Sequence, residues 1–235
     1  MRLPQPARLS ATVLILRQSD GKFQVLMQKR GAGLAFGAQW VFPGGTVSEA
    51  DGDPESDLQG TLRRAAIRET WEEARVRLAP AGTDFPLVAW SRWITPAARP
   101  RRFDAWFFAA ELPEGERALG DGTEAVETEW VEPVAALDAR DRGRMAMMPP
   151  TAITLLDLAA TWREYGSVAA LLARAGEREI VPIQPRLADL PEGLFTVYPW
   201  DPQYGGLAGE GIVLERVPDY LQRLPSRMPA PRVQP

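Results

Sequence analysis

Residues 9–16 form an apolar run rich in β-branched side chains. Residues 23–28 repeat it after the polar break Gln18-Ser19-Asp20-Gly21-Lys22. Two such runs around a turn predict an antiparallel hairpin. Further short strands are predicted at 40–42, 86–93, 103–110 and 126–131. In the last, Glu127 and Glu129 alternate with Val126, Thr128 and Trp130. Helical spacing starts at Leu58 or Thr61, with Asp57 as N-cap, and runs to about Leu78. Residues 133–140 read as a helix. So do 151–165, capped by Thr151 and apolar at Ile153, Leu156 and Ala160, and 167–175. Beyond residue 176 the pattern weakens. Residues 180–183, 194–198 and 211–216 are strand candidates, and Pro218, Pro225, Pro229, Pro231 and Pro235 predict an irregular or extended tail.

The chemistry concentrates between Phe42-Pro43-Gly44-Gly45 and Arg68-Glu69-Thr70-Trp71-Glu72-Glu73. At about 100° per residue, Glu69, Glu72 and Glu73 share an arc of roughly 100°. Ile67, Trp71, Ala74 and Leu78 fall on the other side, where they are expected to form the buried stripe. Three carboxylates on one face suit a hard cation such as Mg²⁺ or Mn²⁺. The plain alternative is a solvated face stitched by i, i+4 pairs, Arg68 with Glu72 and Glu73 with Arg77. The glycines upstream favour the cation, because they let a backbone turn and bring carbonyls close to a ligand.

These residues resemble the Nudix box, the loop-helix-loop with which one superfamily of hydrolases holds metals to cleave diphosphates. The box runs from a glycine through a first glutamate to Arg-Glu-x-x-Glu-Glu, then a closing glycine. Here Arg68 stands 23 positions after Gly45, against 14 in the compact pattern. Asp51 occupies the place of the first glutamate, and the turn-rich residues 51–57 are expected to loop out exposed. Thr70 replaces an apolar residue and Arg75 the closing glycine. A left-handed conformation would cost Arg75 roughly 1–2 kcal/mol, so the helix is expected to continue to Leu78.

The resemblance implies a Nudix-type α/β/α sandwich with a mixed sheet, an α/β fold, plus a C-terminal helical and irregular extension. The expected division is 8–145 for the core and 146–235 for the extension packed on it. It also implies roles. Glu69, Glu72 and Glu73 would hold Mg²⁺ or Mn²⁺ with a carbonyl of Gly44 or Gly45, and Arg68 would hold the carboxylates in place. Glu73 and Arg68 would be catalytic together with Glu124, six residues before Trp130, with Glu127 in reserve. Lys29-Arg30 before the glycine-rich stretch 31–37, and Arg101 and Arg102 in the basic loop 95–102, are candidates for binding substrate phosphate.

More distantly placed motifs, Trp93-Ile94-Thr95-Pro96, Arg102-Phe103-Asp104, Glu129-Trp130-Val131-Glu132-Pro133 and Pro149-Pro150-Thr151, are similar to the peroxisomal-type coenzyme A diphosphatase branch and its bacterial relatives. That similarity implies hydrolysis of coenzyme A or an acyl-coenzyme A. Two other readings stay open: hydrolysis of ADP-ribose, nucleotide sugars or dinucleotides, and a non-catalytic Nudix ligand-binding regulator.

Composition narrows the chemistry. The chain has 235 residues with neither cysteine nor histidine, so no thiolate, disulfide or imidazole takes part. Acid-base work falls to carboxylates, Lys, Tyr or metal-activated water. A net charge of −4 argues against general nucleic-acid binding. Residues 1–10 lack the apolar segment of a signal peptide, and no apolar run is long enough to span a membrane. The expectation is a cytoplasmic enzyme of a small nucleoside diphosphate derivative, without nucleic-acid or membrane partners. The helices at 151–175 serve as scaffold or as a homodimer contact, since nothing titratable is expected to converge there.

Overall fold

Asp20 and Gly21 adopt consecutive left-handed conformations, φ 51° and 74°. This is the two-residue turn whose twist suits a hairpin. It joins β1 (Arg8–Ser19) to β2 (Lys22–Arg30) in antiparallel register, Ser19 opposite Lys22. The computed structural model describes residues 6–31, 37–79, 87–97, 99–120, 125–207 and 211–230.

The hairpin lies at the centre of a mixed sheet with strand order β3-β2-β1-β6-β5-β8. Here β3 is Trp40–Val41, β5 Val88–Ile94, β6 Phe103–Glu111 and β8 Pro182–Ile183. The short β4 (Gly44–Thr46) pairs with the first half of β1, and β7 (Ala125–Val131) pairs with β2. β1 and β6 run parallel, as do β5 and β8.

Both faces of the sheet are covered, so its central strands are apolar on both sides rather than alternating. On one face Ala11, Val13, Ile15, Leu26, Trp106 and Phe108 pack under α1 (Leu58–Ala74). On the other, Leu14, Leu16, Val25, Met27 and Phe107 pack under α3 (Pro149–Tyr165) and α4 (Val168–Gly176), with α2 (Pro133–Asp141) beside α3. This is the expected three-layer sandwich. Helix α3 starts two residues earlier than its pattern suggested. Pro149 and Pro150 fill the first helical positions, where a missing N–H costs nothing, and Thr151 is buried inside the helix instead of capping it.

The C-terminal region departs further from its pattern. β9 (Arg186–Leu190), β10 (Gly193–Val197) and β11 (Arg227–Pro229) form a second antiparallel sheet, with a short α5 (Asp219–Gln222) before β11. Residues 211–216 form no strand. Titratable groups do converge on the helical pair, contrary to expectation. The buried Asp157 of α3 accepts from Arg178 Nη1 at 2.6 Å and from Arg223 Nη2 at 2.7 Å, and both guanidiniums also donate to Thr161 Oγ1. The Arg178 guanidinium is stacked over Trp90 and Tyr220. These contacts join partners 17–66 residues apart in sequence, and no local periodicity reports them.

Asp201 fastens the tail a second time. Its buried carboxylate accepts from Arg227 Nε at 2.8 Å and Nη2 at 2.9 Å, from Ser226 Oγ at 2.8 Å and from the Gln203 amide at 2.9 Å. Burial pushes its carboxyl up, but the Gln203, Ser226 and Arg227 hydrogen bonds and the Arg227 charge outweigh that and hold it below the usual range. The stability it contributes is therefore complete above the ordinary aspartate pKa of about 4 and is lost as pH falls through the lowered native value. Asp201→Asn should lower stability by about 1–3 kcal/mol at neutral pH. It should also flatten the acid limb of a melting-temperature profile. Parallel acid limbs in the two proteins would show that this carboxylate does not set the dependence.

Candidate active site

β4 brings two glycines against β1. A Cβ on Gly44, at φ 153°, would stand 2.4 Å from the Ala11 carbonyl oxygen. A Cβ on Gly45 would stand 2.4 Å from Glu69 Oε1, so the Glu69 carboxylate lies where any other residue would put its side chain. The Pro43 carbonyl is held by the Val13 amide at 2.8 Å, which fixes the approach of the loop.

Helix α1 begins at Leu58 with the Asp57 carboxylate accepting from the Gly60 amide. Its buried side keeps Ala74 and Leu78 and, in part, Ile67, as expected, but not Trp71. Trp71 is exposed, whereas Leu62, Ala65, Ala66, Thr70 and Glu73 are buried. Glu72 and Trp71 face solvent, while Glu69 and Glu73 turn inward toward β4. The small residues Ala65, Ala66 and Thr70 let the helix approach the sheet on that side, and the inner carboxylates are matched by partners. Gly44 N donates to Glu73 Oε2 at 2.9 Å, and Arg30 Nη1 lies 3.5 Å from Glu73 Oε1.

Arg68 organises the remaining acids. Its Nε and Nη2 bind Asp51 Oδ1 and Oδ2 at 2.9 and 2.8 Å. Nη1 reaches Glu69 Oε1 and Glu72 Oε2, both at 2.9 Å, and Nη2 also donates to the Thr46 carbonyl at 3.1 Å. Planar two-pronged pairing of this kind is what guanidinium does and ammonium does not. Asp51 closes a short 3₁₀ turn (Glu49–Asp51) and accepts from the Ser48 amide and hydroxyl. Burial pushes its carboxyl up, but Arg68 and Ser48 bring it below the usual range, and the bond to Asp51 in turn raises Arg68. The expectation that residues 51–57 loop out therefore needs correction at its first member. Asp51 is 3% exposed, while Gly52, Asp53 and Glu55 to Asp57 are exposed.

The helix does not continue to Leu78. It ends at Ala74, and Arg75 adopts φ 55°, ψ 26°, the left-handed cap that favours glycine. The Glu73–Arg77 pair of a longer helix is consequently not built; Arg77 lies over the Trp71 ring instead. Arg75→Gly should stabilise the protein by about 0.5–1 kcal/mol, the left-handed strain less the exposed contact of Arg75 with Trp71. Thermal denaturation checks this: no gain from glycine would mean the stacking matches the strain.

The other candidates are spread more widely. Lys29 faces the opposite side of β2 from Glu73 and pairs with Glu127 at 2.6 Å across β7. Glu124 and most of the glycine-rich stretch 31–37 lie outside the described residues. Arg101 is exposed, and Arg102 Nε donates to the Thr95 carbonyl at 3.3 Å. Both precede β6, which flanks β1 on the side away from β4, so two strand spacings, about 10 Å, separate their strand from the glycines.

Among the described residues, no three carboxylates stand at metal-holding distances, because Arg68 and Arg30 interleave them. The donor set nevertheless fits a divalent cation. It is all oxygen, and Gly45 leaves room beside Glu69. Glu69, Glu72 and Glu73 are carboxylates of the hard-oxygen type that a divalent cation takes.

The NUDIX domain model matches residues 6–150. The chain is 30% identical over 199 residues to "Putative nudix hydrolase 7" of Caenorhabditis elegans, covering 68% of this chain and 65% of that protein's length. The crystal structure of a NUDIX hydrolase from Alicyclobacillus acidocaldarius shares the fold, with a TM-score of 0.58 at 22% identity over 66% of this chain and 92% of that one. With the domain matched over more than half its length, and with acids, arginine and glycines assembled on one helix and one strand, the chain belongs to the NUDIX domain family.

Proposed function

We propose that the protein is a divalent-metal-dependent hydrolase of a diphosphate linked to a nucleoside, with coenzyme A or an acyl-coenzyme A as its best substrate. The observation that carries the enzymatic reading is the packing of Glu69 and Glu73 against Gly44 and Gly45, with Arg68 bracing Glu69, Glu72 and Asp51. A binding module without turnover has no use for so many carboxylates beside a diphosphate.

Glu69, Glu72 and Glu73, with a carbonyl of Gly44 or Gly45, would hold Mg²⁺ or Mn²⁺. When bound, the ion supplies Lewis acidity toward the phosphoryl oxygens and the attacking water. Arg68 keeps the carboxylates aimed while its own charge is spent on Asp51. Arg30 sits beside Glu73, within reach of a phosphate docked there, which makes it a stronger substrate-binding candidate than Lys29. In the overall reaction water oxygen bonds to one phosphorus and the bridging P–O bond breaks toward the other phosphate. Coenzyme A would give 3′,5′-ADP and a phosphopantetheine. A later carboxylate, Glu124 or Glu127, completes the site in this reading. Residues 8–145 form the catalytic core and 146–235 its extension. No described helix is long and apolar enough to cross a membrane; a cytoplasmic location, a small-molecule substrate and a homodimer belong to the same proposal.

The 3′-phosphate decides the substrate. Coenzyme A carries one, and ADP-ribose, nucleotide sugars and dinucleotides do not. We assign recognition of the 3′-phosphate to the exposed Arg101, with Arg102 beside it, since an arginine can hold a phosphate two-pronged. Dephospho-coenzyme A should show a raised KM, and Arg101→Ala should shrink that difference. A panel of diphosphates assayed with Mg²⁺ and Mn²⁺ tests this. Equal kcat/KM for coenzyme A and its dephospho form would put the nucleotide-sugar or dinucleotide reading first. No turnover of any diphosphate would leave the regulator.

A further inference from the structure

Gln28 is 1% exposed, and burying an amide is costly unless its groups are bonded. Its Oε1 has no hydrogen-bond partner among the described residues. Its Nε2 donates to the main-chain carbonyl of Glu73 at 2.8 Å. Among the described residues that bond is therefore the polar contact that accounts for a glutamine at an inward position of β2, where Leu26 two residues earlier is fully buried and apolar.

The carbonyl it serves is one that the helix abandons. In a continuing helix the Arg77 amide would donate to the Glu73 carbonyl. Here Arg75 turns left-handed, and the Arg77 amide donates instead to Glu116 Oε2 at 2.8 Å. Gln28 replaces it. Two residues on, Arg30 emerges on the same face of β2 and reaches the Glu73 carboxylate. One strand thus grips Glu73 at both ends, the main chain through Gln28 and the side chain through Arg30. Gly44 N fixes the second carboxylate oxygen.

We propose that Gln28 is a positioning residue that sets the aim of the Glu73 carboxylate toward the metal. The proposal rests on the reading of Glu73 as a metal ligand. It makes no contact with substrate and acts through the last turn of α1. Gln28→Met keeps length and approximate volume but removes the donor. The released carbonyl lets the final helical turn shift, and Glu73 moves with it.

The test measures Mn²⁺ binding directly, by the electron paramagnetic resonance signal of free Mn²⁺, in four proteins: wild type, Gln28→Met, Glu73→Gln and the double variant. Gln28→Met should raise the Kd for Mn²⁺ about tenfold. In the Glu73→Gln background the same change should have little further effect, since the carboxylate it aims is gone. A merely structural glutamine would weaken binding equally in both backgrounds, or in neither, and either result overturns the proposal. If Glu73→Gln binds Mn²⁺ like wild type, the ligand reading itself fails, whatever Gln28 does, and the proposal falls with it. Should Gln28→Met not fold, wild-type NMR answers. The Gln28 side-chain amide signals should move on adding Mg²⁺, and a spectrum in which they stay still overturns the assignment.

Discussion

Glu73→Gln should lower kcat at least about 100-fold, the scale of losing an electrostatic catalytic group, while the protein stays folded. The second half of that statement follows from the geometry. Glu73 Oε2 accepts from the Gly44 amide, and a glutamine Oε1 can accept the same bond. Its amide nitrogen would meet Arg30, donor against donor, but at 3.5 Å that contact is already long. What the substitution removes is charge next to the expected cation. Circular dichroism should match wild type, and saturating Mg²⁺ should not restore turnover. Near-wild-type kcat under those conditions would refute the role given to Glu73.

Arg68→Ala is expected to lower the melting temperature by roughly 6–12 °C. Losing one partner of a buried ion pair costs about 3–5 kcal/mol. Arg68 keeps about a quarter of its side chain exposed, so the lower end, about 3 kcal/mol, applies. For a chain of this length each kcal/mol moves the midpoint by roughly 2–4 °C. The damage comes from the orphaned Asp51, whose side chain is 3% exposed. Removing both partners should therefore cost less than the two single changes together. Full additivity in a thermal double-mutant cycle would mean that Asp51 and Arg68 act separately, and that Asp51 is not the brace of the box.

The site was legible where its signals are local. The spacing of Glu69, Glu72 and Glu73 placed them on one arc, and the glycine pair pointed to a close approach of backbone to another group. The burial of Ala74 and Leu78 followed the pattern, but the exposure of Trp71 and the burial of Glu73 were not legible. A stripe containing Trp71 reads as core, yet the sheet beneath α1 is already filled by Trp106, Phe108 and Leu26, and the helix settles on its small residues. The end of the helix was not legible, because the intrinsic strain at Arg75 does not act alone. Tertiary bonds to Leu119 N, Glu116 and Gln28 around Ala74 to Arg77 decide the stop. Gln28 carried a faint signal, an amide at an inward position of an apolar strand. Asp51 was found by its offset from Gly45, but its burial depends on Arg68, 17 residues later. The strands β9 and β11 and the Asp157 and Asp201 clusters depend on contacts too distant for periodicity to register.

The parallel pairing of β8 beside β5 has a bearing on how the chain is made. Arg92 and Trp93 of β5 pair with Trp106 and Ala105 of β6 on one side, but on the other their partners are Pro182 and Ile183. At roughly 5–20 residues per second, a ribosome needs about 5–20 seconds to deliver those partners. For that interval the growing polypeptide carries an open sheet edge with Trp90 and Trp93 beside it. The span is a window for chaperone capture, and a product truncated before Pro182 would keep that edge uncovered.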